Sequence, residues 1–237
     1  MYEPTLAEIH DRWFDQIAVA AAAHLSARVE GAADLRIMDL GCGSGTLLAA
    51  LDARFTTLRG VDVSPGMIAR ARTRLPQAAL SVGDALACEW RPVDVVTLVG
   101  EILSYATARV ADAELQDVMA GFFQRVHRGL VPSGLLLFDV LGDRHDYAGR
   151  FFHDDSEWTV SSEVAQSGAI VHRHIVSFLR RGQAFEKSVE DHRLRMFDAE
   201  FLADALRKAG FAVERIAAYG TLPMLPGRIG FECRRQY

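Results

Sequence analysis

A glycine-rich turn between an apolar strand and a helix is the feature that most constrains how this chain can fold. The sequence predicts a strand over 35–38, a turn with Gly41, Gly43 and Gly45, and a helix over 46–51. Glycine lets the backbone adopt a positive φ and lets a ligand approach without meeting a Cβ atom. The amides that open the following helix face whatever lies over the turn. This unit therefore predicts an α/β fold with a nucleotide-like ligand above the turn.

The spacing of the three glycines indicates which kind of ligand fits. A dinucleotide-binding turn has the pattern G-x-G-x-x-G, whereas here the glycines alternate and Asp39 precedes the first of them. A carboxylate at the end of the strand would repel a pyrophosphate, but it suits a ligand with an ammonium group. S-adenosylmethionine (SAM) carries an ammonium and a sulfonium and no phosphate. The turn therefore favours SAM over a dinucleotide.

Two further acids end apolar segments after this turn. Asp62 follows the run 58–61, where its carboxylate can accept hydrogen bonds from both ribose hydroxyls. Asp84 follows the segment 79–82, which also reads as a strand. An acid at the end of a strand is often only a turn former. Three such acids around one glycine turn favour a nucleoside site.

The string D-x-G-x-G-x-G and these acids resemble the cofactor motifs of class I, Rossmann-like SAM-dependent methyltransferases that act on small molecules. The resemblance extends from about residue 35 to the end of the sequence. It implies that Met67 packs on the adenine ring, that Asp84 binds the adenine amino group, and that S-adenosylhomocysteine is the product. The implied cofactor-binding residues are Asp39, Gly41, Cys42, Gly43, Gly45, Asp62, Val63, Met67, Asp84, Ala85, Val99 and Gly100.

The remaining chain alternates strands and helices, as α/β proteins do. Strands are predicted over 93–99 and 135–140, a helix over 112–128, and a closing hairpin over 211–217 and 227–234. The resemblance implies a three-layer Rossmann-like sheet of seven strands, mostly parallel with a reversed last strand. Three extended segments between 156 and 197 predict a small antiparallel insertion. Such an insertion resembles the active-site roof of small-molecule methyltransferases.

We therefore predict a single domain with three parts. They are an N-terminal helical cap over 1–33, a core over 34–142 and 198–237, and an antiparallel roof over 143–197. A chain of 237 residues has an ordinary length for one domain. The cap is predicted to hold one helix over 5–29. This helix packs on the sheet or, as the resemblance implies for an N-terminal helix, closes over the cofactor with Trp13 or Phe14.

Candidate acceptor-site residues lie after the fourth predicted strand and on the last roof segment. Ligands of open α/β sheets bind beyond the carboxyl ends of the strands, so Glu101 and Tyr105 are predicted to touch the methyl acceptor. His192 belongs to an E-x-H-x-x-R string that resembles a pattern of small-molecule methyltransferases. A histidine titrates near neutrality, so His192 is a candidate general base or acceptor ligand. The alternative is that these residues have structural roles only: Glu101 would cap a helix, Tyr105 would pack in the core, and His192 would be a surface or structural histidine.

Charge and composition disfavour several other classes. The net charge of −5 gives no broad positive field for nucleic acid. No apolar run reaches the roughly 18 residues of a membrane-spanning helix, and the start has no signal-peptide pattern. The cysteines form no CxxC motif, and His172 and His174 have no evident third ligand, so no metal is expected. We expect a cytoplasmic protein whose partner is a small molecule, without nucleic acid or membrane.

Two other functions stay open on the sequence. A SAM-binding protein without catalytic activity has the same fold. An NAD(P)-dependent oxidoreductase is disfavoured because a short-chain reductase needs a Tyr-x-x-x-Lys pair, and Gln183 and Asp204 precede Lys187 and Lys208 at that spacing. The favoured function is in-line methyl transfer from SAM to a nitrogen or oxygen atom of a small molecule, in which the protein supplies alignment and desolvation.

Overall fold

A computed structural model describes residues 4–13, 15–29, 31–51, 53–89 and 91–236. The helices are α1 (Pro4–Trp13), α2 (Gln16–Arg28), α3 (Thr46–Ala50), α4 (Pro65–Arg74), α5 (Ile102–Ala106), α6 (Asp112–Gly129) and α7 (Ala199–Lys208). The strands are β1 (Leu35–Leu40), β2 (Phe55–Asp62), β3 (Ala79–Val82), β4 (Val93–Leu98), β5 (Leu130–Gly142), β6 (Gly149–Asp154), β7 (Trp158–Ser167), β8 (Ile170–Arg181), β9 (Ala184–Phe197), β10 (Phe211–Ile216), β11 (Ala218–Tyr219), β12 (Leu222–Pro223) and β13 (Arg228–Arg235). Among the helices of these ranges, none is long and apolar enough to cross a membrane.

Seven of the described strands form the central sheet, in the order β3-β2-β1-β4-β5-β13-β10. Strands β1 to β5 pair in parallel. Strand β13 runs antiparallel to both of its neighbours, β5 and β10. The predicted mostly parallel sheet with a reversed last strand is confirmed.

Helices cover both faces of this sheet and make three layers. On one face α6 and α7 pack against β4 and β5, and Phe122, Phe123 and Phe138 are fully buried there. On the other face α2, α3 and α4 pack against β1 and β2. Burying one such phenylalanine contributes about 1.5–3 kcal/mol. The continuous apolar runs predicted as strands are therefore the centre of the core, which fits a parallel sheet covered on both faces.

The antiparallel roof is larger than the sequence predicts. It contains four described strands, β6 to β9, paired in sequence order. The additional strand, β6, is mostly exposed at the roof edge, so it lacks the apolar alternation that identifies a strand in a sequence. The end of β5 pairs in parallel with β9 through Leu141–Met196 and Gly142–Phe197. This pairing joins the roof to the central sheet.

The N-terminal cap contains two helices where the sequence predicts one. Helix α2 packs on the central sheet through Ala21, Ala22 and Leu25. Helix α1 packs on the roof, where the ring of Trp13 lies 5.1 Å from that of Trp158. The break separates helices that contact different layers, which an unbroken apolar spacing does not reveal. Trp13 thus joins α1 to the roof, and Phe14 lies outside the described residues.

The segment before the buried part of β5 contains a strained residue. Ser133 has a φ of +63°. A left-handed backbone costs a residue other than glycine roughly 1–2 kcal/mol. The structure includes residues 130–134 in β5 with this local irregularity.

Candidate functional site

The glycine-rich turn has the backbone conformation that its sequence predicts. Gly41, Gly43 and Gly45 have φ values of +78°, +53° and +81°. The amides of Gly41 and Cys42 donate to the carbonyl oxygen of Val61 at 2.7 and 3.0 Å, which ties the turn to the end of β2. A Cβ atom placed on Gly43 would meet no described atom within 4 Å. The turn is therefore open on the side where a ligand would lie.

Asp62 lies at the carboxyl end of β2, beside this turn. Its Oδ2 accepts the amide of Gly43 at 3.0 Å, and its Oδ1 accepts the amide of Ser64 at 2.8 Å. Burial raises the pKa of Asp62, and the two amides partly offset that rise. A carboxylate has about four acceptor positions. Two of them are used by the backbone, so two are left for hydroxyl groups of a ligand.

An apolar and a polar group flank Asp62 and remain accessible. Val63 is 57% exposed, which is unusual for a valine next to a buried strand. Asp84 follows β3 and is exposed, and its Oδ1 accepts the amide of Leu86 at 2.9 Å. Met67, which follows Val63 in the first turn of α4, and Ala85, which follows Asp84, are both buried. This pattern fits an adenine ring, which has apolar faces and a polar edge.

Asp39 and Cys42 are buried. Asp39 is 3% exposed, and its Oδ1 accepts a hydrogen bond from the Thr97 hydroxyl at 2.6 Å. Burial raises the pKa of Asp39 to about 7. Burial also raises the pKa of the Cys42 thiol, so this side chain is no reactive nucleophile. Contacts of these two residues with a ligand stay predictions.

Beyond the end of β4, a buried carboxylate binds two arginines. Glu101 is 5% exposed and follows Gly100. Its two carboxylate oxygens accept Arg173 Nη1 and Nη2 at 2.9 and 3.2 Å, and Oε1 lies 2.9 Å from Arg228 Nη2. Burial would raise the pKa of Glu101, but the two guanidinium groups lower it to about 2. Glu101 is therefore a poor proton acceptor at neutral pH and an anchor for both arginines.

A second buried acid fixes the backbone at this corner. Asp139 is fully buried and accepts the amides of Gly100 and Glu101 at 2.9 and 3.1 Å. Its Oδ1 also accepts the hydroxyl of Tyr219 at 2.8 Å. Glu101 has a φ of +63°, a strained conformation that these bonds stabilise. Sequence reasoning missed Asp139, although an acid inside the apolar run 135–141 was the available signal.

Tyr105, His192 and Glu190 form a chain of hydrogen bonds. Tyr105 Oη lies 3.1 Å from His192 Nδ1, and His192 Nε2 lies 2.8 Å from Glu190 Oε2. The side chains of His192 and Glu190 are 1% and 3% exposed, whereas Tyr105 in α5 is half-buried. His192 and Glu190 share one face of β9, as alternation along a strand requires. The structure thus brings together two of the three predicted acceptor-site residues.

Helix α1 connects the glycine-rich turn with the roof. Asp11 accepts hydrogen bonds from Ser44 Oγ in the turn and from Arg74 in α4. Glu8, one turn earlier, pairs with Arg70 of α4 at 3.2 Å and with Arg181 of β8 at 2.8 Å. These contacts hold α1 against both parts of the molecule.

Acid is expected to weaken this attachment. Hydrogen bonding from Arg181 is the largest cause that lowers the pKa of Glu8 from 4.5 to about 2. A carboxyl with a depressed folded-state pKa stabilises the fold above its unfolded-state pKa, and this contribution is lost as the pH falls. We expect wild-type protein to be more stable than Glu8→Gln at pH 7, with a difference in unfolding free energy that shrinks below about pH 4.5.

Urea unfolding of both proteins between pH 7 and pH 3 measures this difference. Glu200→Gln is the matched control, because Glu200 forms an exposed pair with Arg215, and such pairs contribute little. A difference between wild type and Glu8→Gln that stays constant over this range would contradict the ion pairing of Glu8.

Comparison with known proteins identifies a family that matches the part of the chain with the glycine-rich turn. Residues 37–134 match the family described as a methyltransferase domain. Trans-aconitate 2-methyltransferase of Methylobacterium nodulans is 35% identical over 117 residues, which are 48% of this chain and 42% of that protein. The chain thus spans less than half the length of this relative.

Solved structures extend the similarity to the whole fold. A SAM-dependent methyltransferase from Clostridium acetobutylicum superimposes with a TM-score of 0.82 at 19% identity, over 98% of both chains. The SAM-bound amino pentose methyltransferase CalS10 from Micromonospora echinaspora superimposes with a TM-score of 0.74 at 23% identity, over 100% of this chain and 98% of that one. Residues 37–134 therefore carry a methyltransferase domain, and the chain has the class I, Rossmann-like fold of SAM-dependent methyltransferases.

Proposed function

We propose that this protein transfers the methyl group of SAM to a nitrogen or oxygen atom of a small molecule. The observation that carries the proposal is the open glycine-rich turn with the Asp62 carboxylate held beside it by the Gly43 and Ser64 amides. These groups fit a nucleoside with two ribose hydroxyls. Bound SAM supplies an electrophilic methyl group, so the chain itself has to bind, orient and exclude water.

Each part of the cofactor has a candidate partner. Asp62 accepts the ribose hydroxyls, Val63 and Met67 contact the adenine ring, and Asp84 with the Ala85 amide binds its polar edge. The glycine-rich turn with Asp39 and Cys42 lies along the amino-acid part of SAM. The carbonyl groups at Val99 and Gly100 face the sulfonium at the end of β4.

We propose that the acceptor lies between the end of β4 and the roof. Tyr105 and His192 reach this region from α5 and β9, and Glu101 holds Arg173 of β8 beside it. The low pKa of Glu101 makes it a positioning residue here and not a base. The names of two similar proteins, a trans-aconitate methyltransferase and an amino pentose methyltransferase, support an acceptor of small size.

The same proposal covers the setting in which the protein acts. The net charge of −5 supports a small-molecule partner over nucleic acid. We assign the protein to the cytoplasm, where SAM is available, and we expect it to act without a membrane partner. The three-part domain division, with the helical cap over 1–33 and the roof over 143–197, belongs to this proposal as well.

Calorimetric titration with SAM and with S-adenosylhomocysteine tests the cofactor. We expect micromolar binding of SAM and binding of the demethylated product that is at least as tight. Binding of NAD(H) in place of both would support the oxidoreductase alternative. SAM binding without methyl transfer to any of a broad set of amines, alcohols and acids would support a non-catalytic SAM-binding protein.

A further inference from the structure

We propose that Tyr105, His192 and Glu190 form a proton relay, and that the methyl acceptor is an amine or an alcohol and not a carboxylate. The inference rests on the proposed methyl transfer and specifies its substrate class. The shared chemistry of the acceptor is a nucleophilic atom that still carries a proton when it attacks.

The proposed relay assigns a donor and an acceptor to each hydrogen bond. With Glu190 as a carboxylate, which only accepts hydrogen bonds, the 2.8 Å contact with Glu190 Oε2 assigns the proton to His192 Nε2. His192 Nδ1 then carries a lone pair and accepts the Tyr105 hydroxyl at 3.1 Å. Ser188 Oγ donates to the other oxygen of Glu190 at 3.4 Å, which holds the carboxylate in place. A hydroxyl oxygen that donates its own proton also has acceptor lone pairs, so Tyr105 Oη can take the proton of the acceptor as it passes its own to His192.

Burial separates the roles of the three residues. The His192 and Glu190 side chains are almost inaccessible, so His192 does not meet an acceptor in solvent. Tyr105 is half-buried and is the accessible member of the chain. Tyr105 is therefore the group that touches the acceptor, whereas His192 accepts the proton behind it. Glu190 acts through His192 and is a positioning residue.

The fold places the accessible end of this relay where methyl transfer is proposed. Tyr105 belongs to α5, which starts at Ile102, shortly after β4 ends at Leu98. Helix α5 packs on β9 of the roof and on β5 of the central sheet. The tyrosine thus lies between the carboxyl end of the parallel sheet and the inner face of the roof.

The step balances as follows. The acceptor atom forms a bond to the methyl carbon while the methyl–sulfur bond breaks, and the electron pair of that bond stays on sulfur. The proton of the acceptor moves to Tyr105 Oη, and the tyrosine's own proton moves to His192 Nδ1. The resulting imidazolium is paired with the Glu190 carboxylate, which stabilises its charge.

A carboxylate acceptor would have no use for this relay. Free carboxyl groups have pKa values near 4 and are ionised at neutral pH, so they attack without losing a proton. The neighbouring arginines are also engaged, because Arg173 and Arg228 pair with Glu101, and Arg228 with Asp139 at 3.3 Å. The cluster is thus charge-compensated and does not call for an anionic partner.

Nuclear magnetic resonance of protein with labelled histidine tests the relay directly, without an acceptor. The signal is assigned with His192→Asn, and His174→Asn on the opposite roof face is the matched control. We expect His192 to carry its proton on Nε2 in wild type and to shift toward Nδ1 in Glu190→Gln, because the glutamine amide can donate to Nε2. A wild-type tautomer with the proton on Nδ1 would overturn the relay.

Turnover assays test the acceptor class. The probes are an amino sugar, the matching neutral sugar and trans-aconitate, with methylated product detected by mass spectrometry. We expect methylation of the amine or the alcohol, and kcat lowered roughly 10²- to 10⁴-fold in Tyr105→Phe, with SAM affinity unchanged. Glu190→Gln should lower kcat less and move the acid limb of the pH–rate profile.

The substrate class and the proposed function would be refuted by different results. Methylation of trans-aconitate at equal rates by wild type and Tyr105→Phe would refute the substrate class proposed here. Absence of SAM binding would refute the proposed function instead, and the tautomer measurement on the free protein would still decide whether the relay exists.

Discussion

Replacing Asp62 by alanine is expected to weaken SAM binding by at least about a hundredfold. A hydrogen bond to a charged group contributes roughly 1.5–3 kcal/mol, and the ribose offers two hydroxyls to the free positions of this carboxylate. A loss of 1.4 kcal/mol is a tenfold loss of affinity, so two such bonds account for the expected effect. The amides of Gly43 and Ser64 also lose their acceptor, which loosens the turn.

Calorimetric titration of wild type, Asp62→Ala and Asp62→Asn measures this effect. Asparagine keeps one carbonyl acceptor and should give an intermediate affinity. Asp94→Ala is the control, because Asp94 is a partly buried carboxylate that pairs with Arg36 at 2.8 Å on β4. Its loss should change stability and leave SAM affinity as it is. Wild-type affinity in Asp62→Ala would remove Asp62 from the ribose site.

Replacing Arg228 by leucine is expected to lower the unfolding free energy by about 3–5 kcal/mol, which is typical when one partner of a buried ion pair is removed. The Arg228 side chain is 8% exposed, and its loss leaves Glu101 and Asp139 with fewer compensating charges. In a chain of this length 1 kcal/mol shifts the melting temperature by roughly 2–4 °C. A decrease of about 10 °C is therefore expected.

Thermal unfolding followed by circular dichroism measures the decrease. Arg215→Leu is the matched control, since Arg215 pairs with Glu200 and is 51% exposed, and exposed pairs contribute at most about 1 kcal/mol. Equal melting temperatures for Arg228→Leu and Arg215→Leu would show that the buried cluster does not stabilise the corner after β4.

The glycine-rich turn and the position of Asp62 could be predicted from the sequence because their sequence signals are local. The glycines at 41, 43 and 45 have positive φ within one short turn, and β1, the strand before the turn, is mostly buried. Asp62 ends the neighbouring strand β2, so its position beside the turn follows from the parallel pairing of β1 and β2. None of these inferences needs a contact between distant parts of the chain.

The region around Glu101, Tyr105 and His192 could be predicted only in part, because its contacts join distant segments of the chain. His192 and Tyr105 were each identified, but only the fold brings them within 3.1 Å. The ion pairs of Glu101 with Arg173 and Arg228 join three strands or loops that no periodicity relates. The break between α1 and α2 was missed for the same reason, because it depends on which layer each helix contacts.

The place of β13 in the sheet has a consequence for how the molecule assembles. This strand comes last among the described strands, yet it lies inside the sheet, where it covers β5 along seven residue pairs from Arg228–Leu141 to Arg234–Leu135. During synthesis on the ribosome, β5 leaves the exit tunnel long before β13. Until β13 is made, the edge of this apolar strand that β13 will cover stays unpaired. Such edges invite association with other chains, and pairing over a long sequence separation is slow. We therefore expect aggregation on refolding to depend on this late pairing more than on the early glycine-rich unit.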